Sequence, residues 1–394
     1  MAEITGLLGQ DTVTGLVEHE GAVLSYRAEG PKDGPVLVLA NSLGTTTALW
    51  DPQLRGLVEH FRVLRYDHRG HGGSSVPPGP YSIAQLGGDL VAILDALSVK
   101  RASICGISLG GMVAMWMGAH VPERVDRLVL VSTAPVLGPP SSWDERALIV
   151  RESGTSPLLE SILSRWFPPL FESEHRDGVA RVAEMITACE PEGYAACCEA
   201  IGAMDLRPTL ARIVAPTLVV QGAQDPVTPP SAGLALAEAV DGATFCVLPD
   251  AAHLVNLAQP ERFVALVVEH LVGTASARGM AVRRAVLGDA HVEHAIASTS
   301  AFNAPFQDLI TRYAWGEIWS RPALDRRTRS AVTLAMLITL GRMDELELHL
   351  RAAIGNGLRA EEIREVLLQS AVYAGAPAAR SAFAVAEEIL DMDL

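Results

Sequence analysis

A serine becomes a nucleophile only when the chain exposes its hydroxyl and a base takes its proton. Gly106-Ile107-Ser108-Leu109-Gly110 meets the first condition. It is a G-x-S-x-G turn, whose flanking glycines omit the Cβ atoms that would clash around a sharply turned serine. The second condition asks for a histidine oriented by an acid. Asp225 follows Gly222-Ala223-Gln224, and His253 ends Pro249-Asp250-Ala251-Ala252-His253. Asp250 is a rival acid, but three residues before the histidine it is too local to reach across a sheet, and it is expected to fix the turn. Acyl transfer also needs N–H donors for an oxyanion. The backbone of Leu109 and that of Leu43, in Asn41-Ser42-Leu43-Gly44, form the expected pair. Asp67-His68-Arg69-Gly70-His71-Gly72 also carries types suggestive of catalysis.

Such a set must be held by strands running into loops and helices. Short β-branched runs at 36–40, 62–66, 103–107, 128–132, 217–221 and 244–248 are bounded by Gly, Pro, Asn or Asp and read as strands. Helix-length patterns such as 82–98 and 109–119 lie between them. Alternating β and α elements predict a parallel sheet with helices on both faces. Ser108 then sits between a strand and a helix, and Asp225 at a strand's C-terminal end. Between about 135 and 208 strand signals stop, and a Leu-, Arg- and Glu-rich stretch reads as a helical insertion.

Around residue 272 the character changes. Val272-Gly273-Thr274-Ala275-Ser276-Ala277 is small and uncharged, as in a linker. Beyond it no strand is evident, and helical patterns dominate at 306–319, 326–340, 345–356 and 360–373. The chain is therefore divided into 1–271, a linker at 272–278, and a helical domain at 279–394.

The 394 residues carry a formal charge of −15, which gives no basic surface for nucleic acid. After residue 277 there are 13 Arg against 15 acidic residues, so nearly all the net charge belongs to the first domain. Cys105, Cys189, Cys197, Cys198 and Cys246 are odd in number and form no C-x-x-C, which fits a reducing, cytoplasmic setting. Residues 1–10 contain Glu3 and no basic n-region, so no secretory signal is expected. The uncharged run 102–122 is long enough for a bilayer, but its Gly106-x-Ser108-x-Gly110 turn and terminal His120 and Pro122 favour strand–turn–helix, and no membrane association is expected.

Ser, then Asp, then His is the chain order of the α/β-hydrolase triad. Within that superfamily the first domain resembles the 3-oxoadipate enol-lactone hydrolases, over roughly residues 15–271. The resemblance is carried by Asn41-Ser42-Leu43-Gly44 with Trp50-Asp51-Pro52-Gln53, by Tyr66 to Gly72, and by Gly106 to Met112. Gln221-Gly222, Asp225-Pro226 and Ala252-His253 complete it. It implies an α/β fold with a helical cap closing over a lactone, and offers Trp143 at the head of the cap as a binding candidate. Many α/β-hydrolases have His-Gly where this chain has Asn41-Ser42.

The second domain resembles 4-carboxymuconolactone decarboxylase across 279–390. The motifs are Arg283-Arg284-x3-Gly288-Asp289-x-His291-Val292, Phe306-Gln307-Asp308, Trp315-Gly316-Glu317-x-Trp319-x-Arg321-Pro322, and Leu324 to Ser330. Related alkyl hydroperoxidases carry C-x-x-C-x-x-x-H; here His349 and Gly357 keep the frame, while Arg342 and Glu345 stand at the cysteine positions, which excludes thiol redox chemistry. Glu345 and His349, spaced i, i+4, share a helix face. The resemblance makes them a proton-transfer pair, with Glu345 expected to orient His349 and raise its pKa. Arg326, Arg327 and Arg329, after the N-cap Asp325, are candidates for a substrate carboxylate. His291 and His294 find no third ligand, so no metal and no cofactor is expected.

Loss of CO₂ from 4-carboxymuconolactone needs only a seat for the anion, stabilisation of the developing oxyanion and return of a proton. Its product, the enol-lactone, is the ester the first domain is expected to open. The expected function is thus two consecutive steps on small-molecule lactones, in a chain that associates with copies of itself. The rival reading is an esterase of other specificity carrying a non-catalytic helical oligomerisation module.

Overall fold

The computed structural model describes residues 12–273 and 275–390. The contacts divide the chain into two units, Met1–Leu271 and Val272–Leu394. The stretch on which the absence of a targeting signal rests lies outside the described residues.

In the first unit eight strands form one sheet in the order β1-β2-β4-β3-β5-β6-β7-β8. They are β1 (Val13–His19), β2 (Ala22–Glu29), β3 (Val36–Ala40), β4 (Arg62–Tyr66), β5 (Ala102–Ile107), β6 (Val125–Val131), β7 (Thr217–Gly222) and β8 (Thr244–Leu248). β1 pairs antiparallel with β2, and β2 with β4; β4, β3, β5, β6, β7 and β8 run parallel. β5 and β7 are buried at every residue, as expected of strands covered on both faces. The β1–β2 hairpin turns through Glu20 and Gly21, both at positive φ (44° and 75°), the two-residue turn whose twist suits a hairpin.

Helices α1 (Asp51–Val58), α2 (Ile83–Ala96) and α3 (Leu109–His120) accompany the first half of the sheet. The cap comprises α4 (Pro140–Ser153), α5 (Leu159–Trp166), α6 (Pro169–Glu174), α7 (Arg176–Thr187) and α8 (Pro191–Gly202). The sheet then resumes with α9 (Pro230–Ala239), α10 (Val255–Ala258) and α11 (Pro260–Val272). α2 opens with a complete capping box, Ser82 and Gln85 each satisfying the other's backbone N–H.

The second unit has α12 (Ala275–Leu287), α13 (Asp289–Ala297) and α14 (Ala304–Ile310), which runs directly into a π-helix at Thr311–Trp319. Then come α15 (Arg326–Leu340), α16 (Met343–Gly355), α17 (Ala360–Ala374) and α18 (Ala376–Leu390). Leu334, Ile338, Leu346, Leu350, Leu367 and Ile389 are among the side chains of its core. The expected linker is largely helical: α11 ends at Val272 and α12 begins at Ala275. The alanines that read as linker are strong helix formers. Similarly, the helix expected over 306–319 is α-helical only to Ile310. No described helix is long and apolar enough to cross a membrane.

Candidate active sites

Ser108 sits between the end of β5 and the start of α3 at φ 55°, ψ −115°, a conformation disfavoured for a residue with a side chain. Its neighbours make that turn possible. A Cβ on Gly106 would lie 2.1 Å from the Gly110 carbonyl oxygen, and one on Gly110 would lie 2.2 Å from that of Ala40. The Ser108 N–H donates to Val131 O, and its carbonyl accepts from Thr133 Oγ1, which ties the turn to β6.

His253 Nδ1 donates to Asp225 Oδ2 at 2.9 Å, with both side chains buried. Asp225 Oδ2 also accepts from Thr228 Oγ1 at 2.7 Å, and Oδ1 accepts from the Val227 and Thr228 amides. Burial pushes the Asp225 carboxyl up, but His253 and the Thr228 donors outweigh it and hold the group below the usual carboxylate range. Asp250 is exposed at φ 54° in the turn between β8 and His253, and has no bond to His253. The Trp166 ring lies 5.7 Å from that of His253, and Trp166 O accepts from the Leu254 N–H, so the cap reaches the base.

Near the nucleophile, the Gly110 amide is taken by Asn41 O, Thr45 by Ser42 O and Gly44 by His71 Nε2. The amides of Leu43 and Leu109 donate to none of the described residues. The His68–His71 segment supports this loop. His68 Nε2 donates to Asn41 O at 3.1 Å, and burial and the neighbouring His71 push its pKa down to about 3. His71 is held near 4 by burial, so both rings are neutral braces at physiological pH. Asp67 fixes the Thr47 and Gly73 amides. Gly70, at φ 78°, lies so close to α8 that a Cβ would be 2.5 Å from Gly193 Cα.

Trp143 lies on α4 as a half-buried wedge. Its Nε1–H donates to Leu137 O at 2.7 Å, and its Cβ would touch any side chain at Gly202. Its indole donor is therefore consumed within the cap. Arg146, one turn on, stacks on the Trp143 and Tyr194 rings, 5.4 Å from each centroid, and donates to Tyr194 Oη. Its Nε is buried without a partner. Arg165 is pushed below the usual guanidinium value by burial and by Arg146 nearby. Neither arginine meets a carboxylate among the described residues. Tyr194, which Arg146 contacts, packs on Gly44, and Arg165 precedes Trp166, whose ring lies by that of His253. Sequence spacing carried no sign of this. An open cleft of about 970 Å³ lies alongside, lined by Gly44, His71, Phe171 and Met185, but not by Ser108 or His253.

In the second unit Glu345 and His349 are one turn apart on α16, Glu345 exposed and His349 half-buried. Burial and His291 push the His349 pKa down, and Glu345 raises it without prevailing. The expectation that Glu345 keeps this histidine protonated near neutrality is thus corrected. Arg326 and Arg327 are exposed at the start of α15, and Arg329 is half-buried there. Arg327 pairs with Glu362, and Arg329 donates to Leu324 O and Arg321 O. No contact joins the three to His349 among the described residues. Asp325 caps α15 as expected, accepting from Thr328 N at 2.6 Å.

Comparison with known proteins follows the same division. The alpha/beta hydrolase fold family matches residues 35–153, and the carboxymuconolactone decarboxylase family matches 304–388. The chain is 41% identical over 254 residues to 3-oxoadipate enol-lactonase 2 of Acinetobacter baylyi, covering 64% of this chain and 93% of that one. It is 49% identical over 112 residues to the 4-carboxymuconolactone decarboxylase of the same organism, covering 28% and 84% respectively. The solved enol-lactonase of Burkholderia xenovorans LB400 superposes with a TM-score of 0.64 at 39% identity, over 66% of this chain and all of that one. The chain therefore belongs to the α/β-hydrolase family through its N-terminal unit and to the carboxymuconolactone decarboxylase family through its C-terminal unit.

Proposed function

We propose that the chain decarboxylates 4-carboxymuconolactone to 3-oxoadipate enol-lactone and then hydrolyses that lactone to 3-oxoadipate, two successive steps in the breakdown of aromatic compounds. The observation that carries the reading is the joining of the two similarities in one chain, because the product of the second unit's relative is the substrate of the first unit's relative.

In the hydrolase, Ser108 attacks the lactone carbonyl as His253 takes its proton, with Asp225 fixing the imidazole through Nδ1. The Leu43 and Leu109 amides receive the oxyanion. His253 then protonates the departing enolate oxygen, and water releases the acyl group by the same route. The enol-lactone carries a carboxylate on its side arm. Arg146 and Arg165, without carboxylate partners of their own, are suited to hold it and to exclude neutral esters.

In the decarboxylase, the C–CO₂ bond breaks and its electron pair moves through the ring double bond into the lactone carbonyl. CO₂ leaves a dienolate, and a proton delivered through His349 and Glu345 gives the enol-lactone. The lactone itself is the electron sink.

The five free thiols, four of them buried, support a cytoplasmic setting. Exposed Phe302, Phe306, Tyr313, Leu340, Val372 and Tyr373 on the helical unit support self-association, which light scattering would measure. The deciding experiment is Ser108→Ala given 4-carboxymuconolactone. CO₂ release with accumulation of enol-lactone is expected, and loss of CO₂ release in the folded variant would overturn the two-site reading.

A further inference from the structure

Among the described residues of the helical unit, Arg283 is the buried cation. Gly279 and Gly316 let α12 and the π-helix meet at backbone distance: a Cβ at Gly279 would lie 1.9 Å from Thr311 O, and one at Gly316 would lie 2.1 Å from Ala275 O. That crossing carries Arg283, one turn beyond Gly279, against the π-helix. Its Nη1 donates to Gln307 Oε1 at 3.1 Å and to Thr311 Oγ1 at 3.3 Å. Both acceptors are neutral. The residue is 8% exposed, its Nε has no partner, and no carboxylate pairs with it among the described residues.

A guanidinium sequestered without a counter-ion is costly, and such groups are normally paired. Here the unpaired charge bears on His291, which in turn bears on His349. α12 packs against both α13, which carries His291, and α16, which carries His349. Arg283 is near enough to bear on His291, His291 on His349, and Glu345 on His349. The π-helix that supplies Thr311 is a conformation frequently found at functional sites.

We propose that Arg283 is a catalytic residue of the decarboxylation, donating its free N–H to the lactone carbonyl oxygen as the dienolate forms. This inference rests on the proposed decarboxylase reading. Chemistry selects that oxygen over the departing carboxylate. A cation on the carboxylate would stabilise the ground state and oppose loss of CO₂, whereas a cation on the carbonyl oxygen gains strength as charge arrives there. The bond balance is unchanged: the C–CO₂ pair becomes the enolate pair, CO₂ departs, and one proton returns at carbon. Gln307 and Thr311 hold the guanidinium plane, which gives a role to two residues of the 306–319 segment.

The test uses the full chain with Arg283→Met and Arg283→Lys, 4-carboxymuconolactone as substrate, and both CO₂ release and enol-lactone opening as readouts. Arg283→Met is expected to lose about 10²–10³ in decarboxylation kcat, the scale for one oxyanion donor. KM should stay within about threefold, as for an interaction made in the transition state, and lactone opening should be normal. Arg283→Lys keeps the charge but loses the planar fork, and is expected to lose at least about tenfold. Unchanged kcat in either folded variant, or a raised KM at wild-type kcat, would overturn the inference. Should Arg283→Met unfold the helical unit, Arg283→Lys decides alone. Absence of CO₂ release from the unmodified chain would instead sink the decarboxylase reading.

Discussion

Asp225→Asn tests the triad most sharply because the structure dictates how the new amide must sit. Asp225 Oδ1 receives two backbone amides, from Val227 at 2.8 Å and Thr228 at 3.1 Å. An asparagine must keep its carbonyl oxygen there, since turning its NH₂ toward them would set donors against donors. The NH₂ then occupies the Oδ2 position, 2.9 Å from His253 Nδ1 and 2.7 Å from Thr228 Oγ1. The hydroxyl can rotate to accept, but the imidazole must shift its proton from Nδ1 to Nε2. A ring protonated at Nε2 cannot take the Ser108 proton. The expected loss in enol-lactone opening is ~10⁴ in kcat, equivalent to ~5.5 kcal/mol, the scale known for this change in serine proteases. KM should barely move, because no atom that binds the lactone has changed. Asp250→Asn, at an exposed turn, should stay within about twofold of wild type, as for surface changes. The assay is stopped-flow loss of enol-lactone absorbance, with CO₂ release as the control for a folded second unit. A folded Asp225→Asn retaining a tenth or more of wild-type kcat would refute the tautomer argument, and a larger loss in Asp250→Asn would move the acid there.

His349→Gln should slow decarboxylation by ~10²–10⁴, the usual contribution of a general acid, and leave lactone opening intact. Because burial and His291 hold the His349 pKa below 6.5, its protonated fraction grows as pH falls toward that value, so the decarboxylation rate should rise from pH 8 to pH 6. Glu345→Gln removes the raising influence and should carry the profile to lower pH; a flat profile, or movement to higher pH, would exclude this assignment. Gly70→Ala forces a side chain onto a residue at φ 78° and against Gly193 Cα, so thermal unfolding should reveal a loss of at least about 1–3 kcal/mol. An unshifted melting curve would show that the cap does not bear on this loop.

The nucleophile turn and the strands that hold it were legible because their signals are local. A serine between glycines, an apolar strand before it and an apolar helix after it lie within about one turn of each other in sequence. The β1–β2 hairpin was not legible. Its first strand is exposed or half-exposed at every residue and includes Thr14, Gly15 and Glu18, so it lacks the apolar run that marks β3 or β7. The arginines invert the lesson. Arg326, Arg327 and Arg329 stand out in the sequence by density; in the structure Arg327 pairs with Glu362 and the half-buried Arg329 donates to backbone carbonyls. Arg283 is conspicuous only after folding, since its burial follows from the Gly279–Gly316 crossing, and residues 307 and 311 become its partners through a π-turn that no 3.6-residue period announces. Arg146 and Arg165 likewise come near each other only in the folded cap.

The two units meet one electrostatic demand, a negative charge growing on a lactone carbonyl oxygen, with different donors. In the hydrolase the attacking serine arrives as a neutral hydroxyl, and the oxyanion exists only in a transient tetrahedral intermediate. The neutral backbone N–H groups of Leu43 and Leu109 are the proposed donors there, and a full cation would hold the acyl-enzyme's precursor too well. In the decarboxylase the substrate brings two carboxylates into the protein, and the charge of one of them moves to the lactone carbonyl oxygen as CO₂ leaves. Dipoles alone are a poor match for that total, whereas a guanidinium desolvated in advance interacts strongly because little water competes. A burial cost already met in the folded protein is the form of preorganisation proposed for Arg283, and it accounts for the absence of a carboxylate partner among the described residues: an internal acid would neutralise the cation before the dienolate could use it.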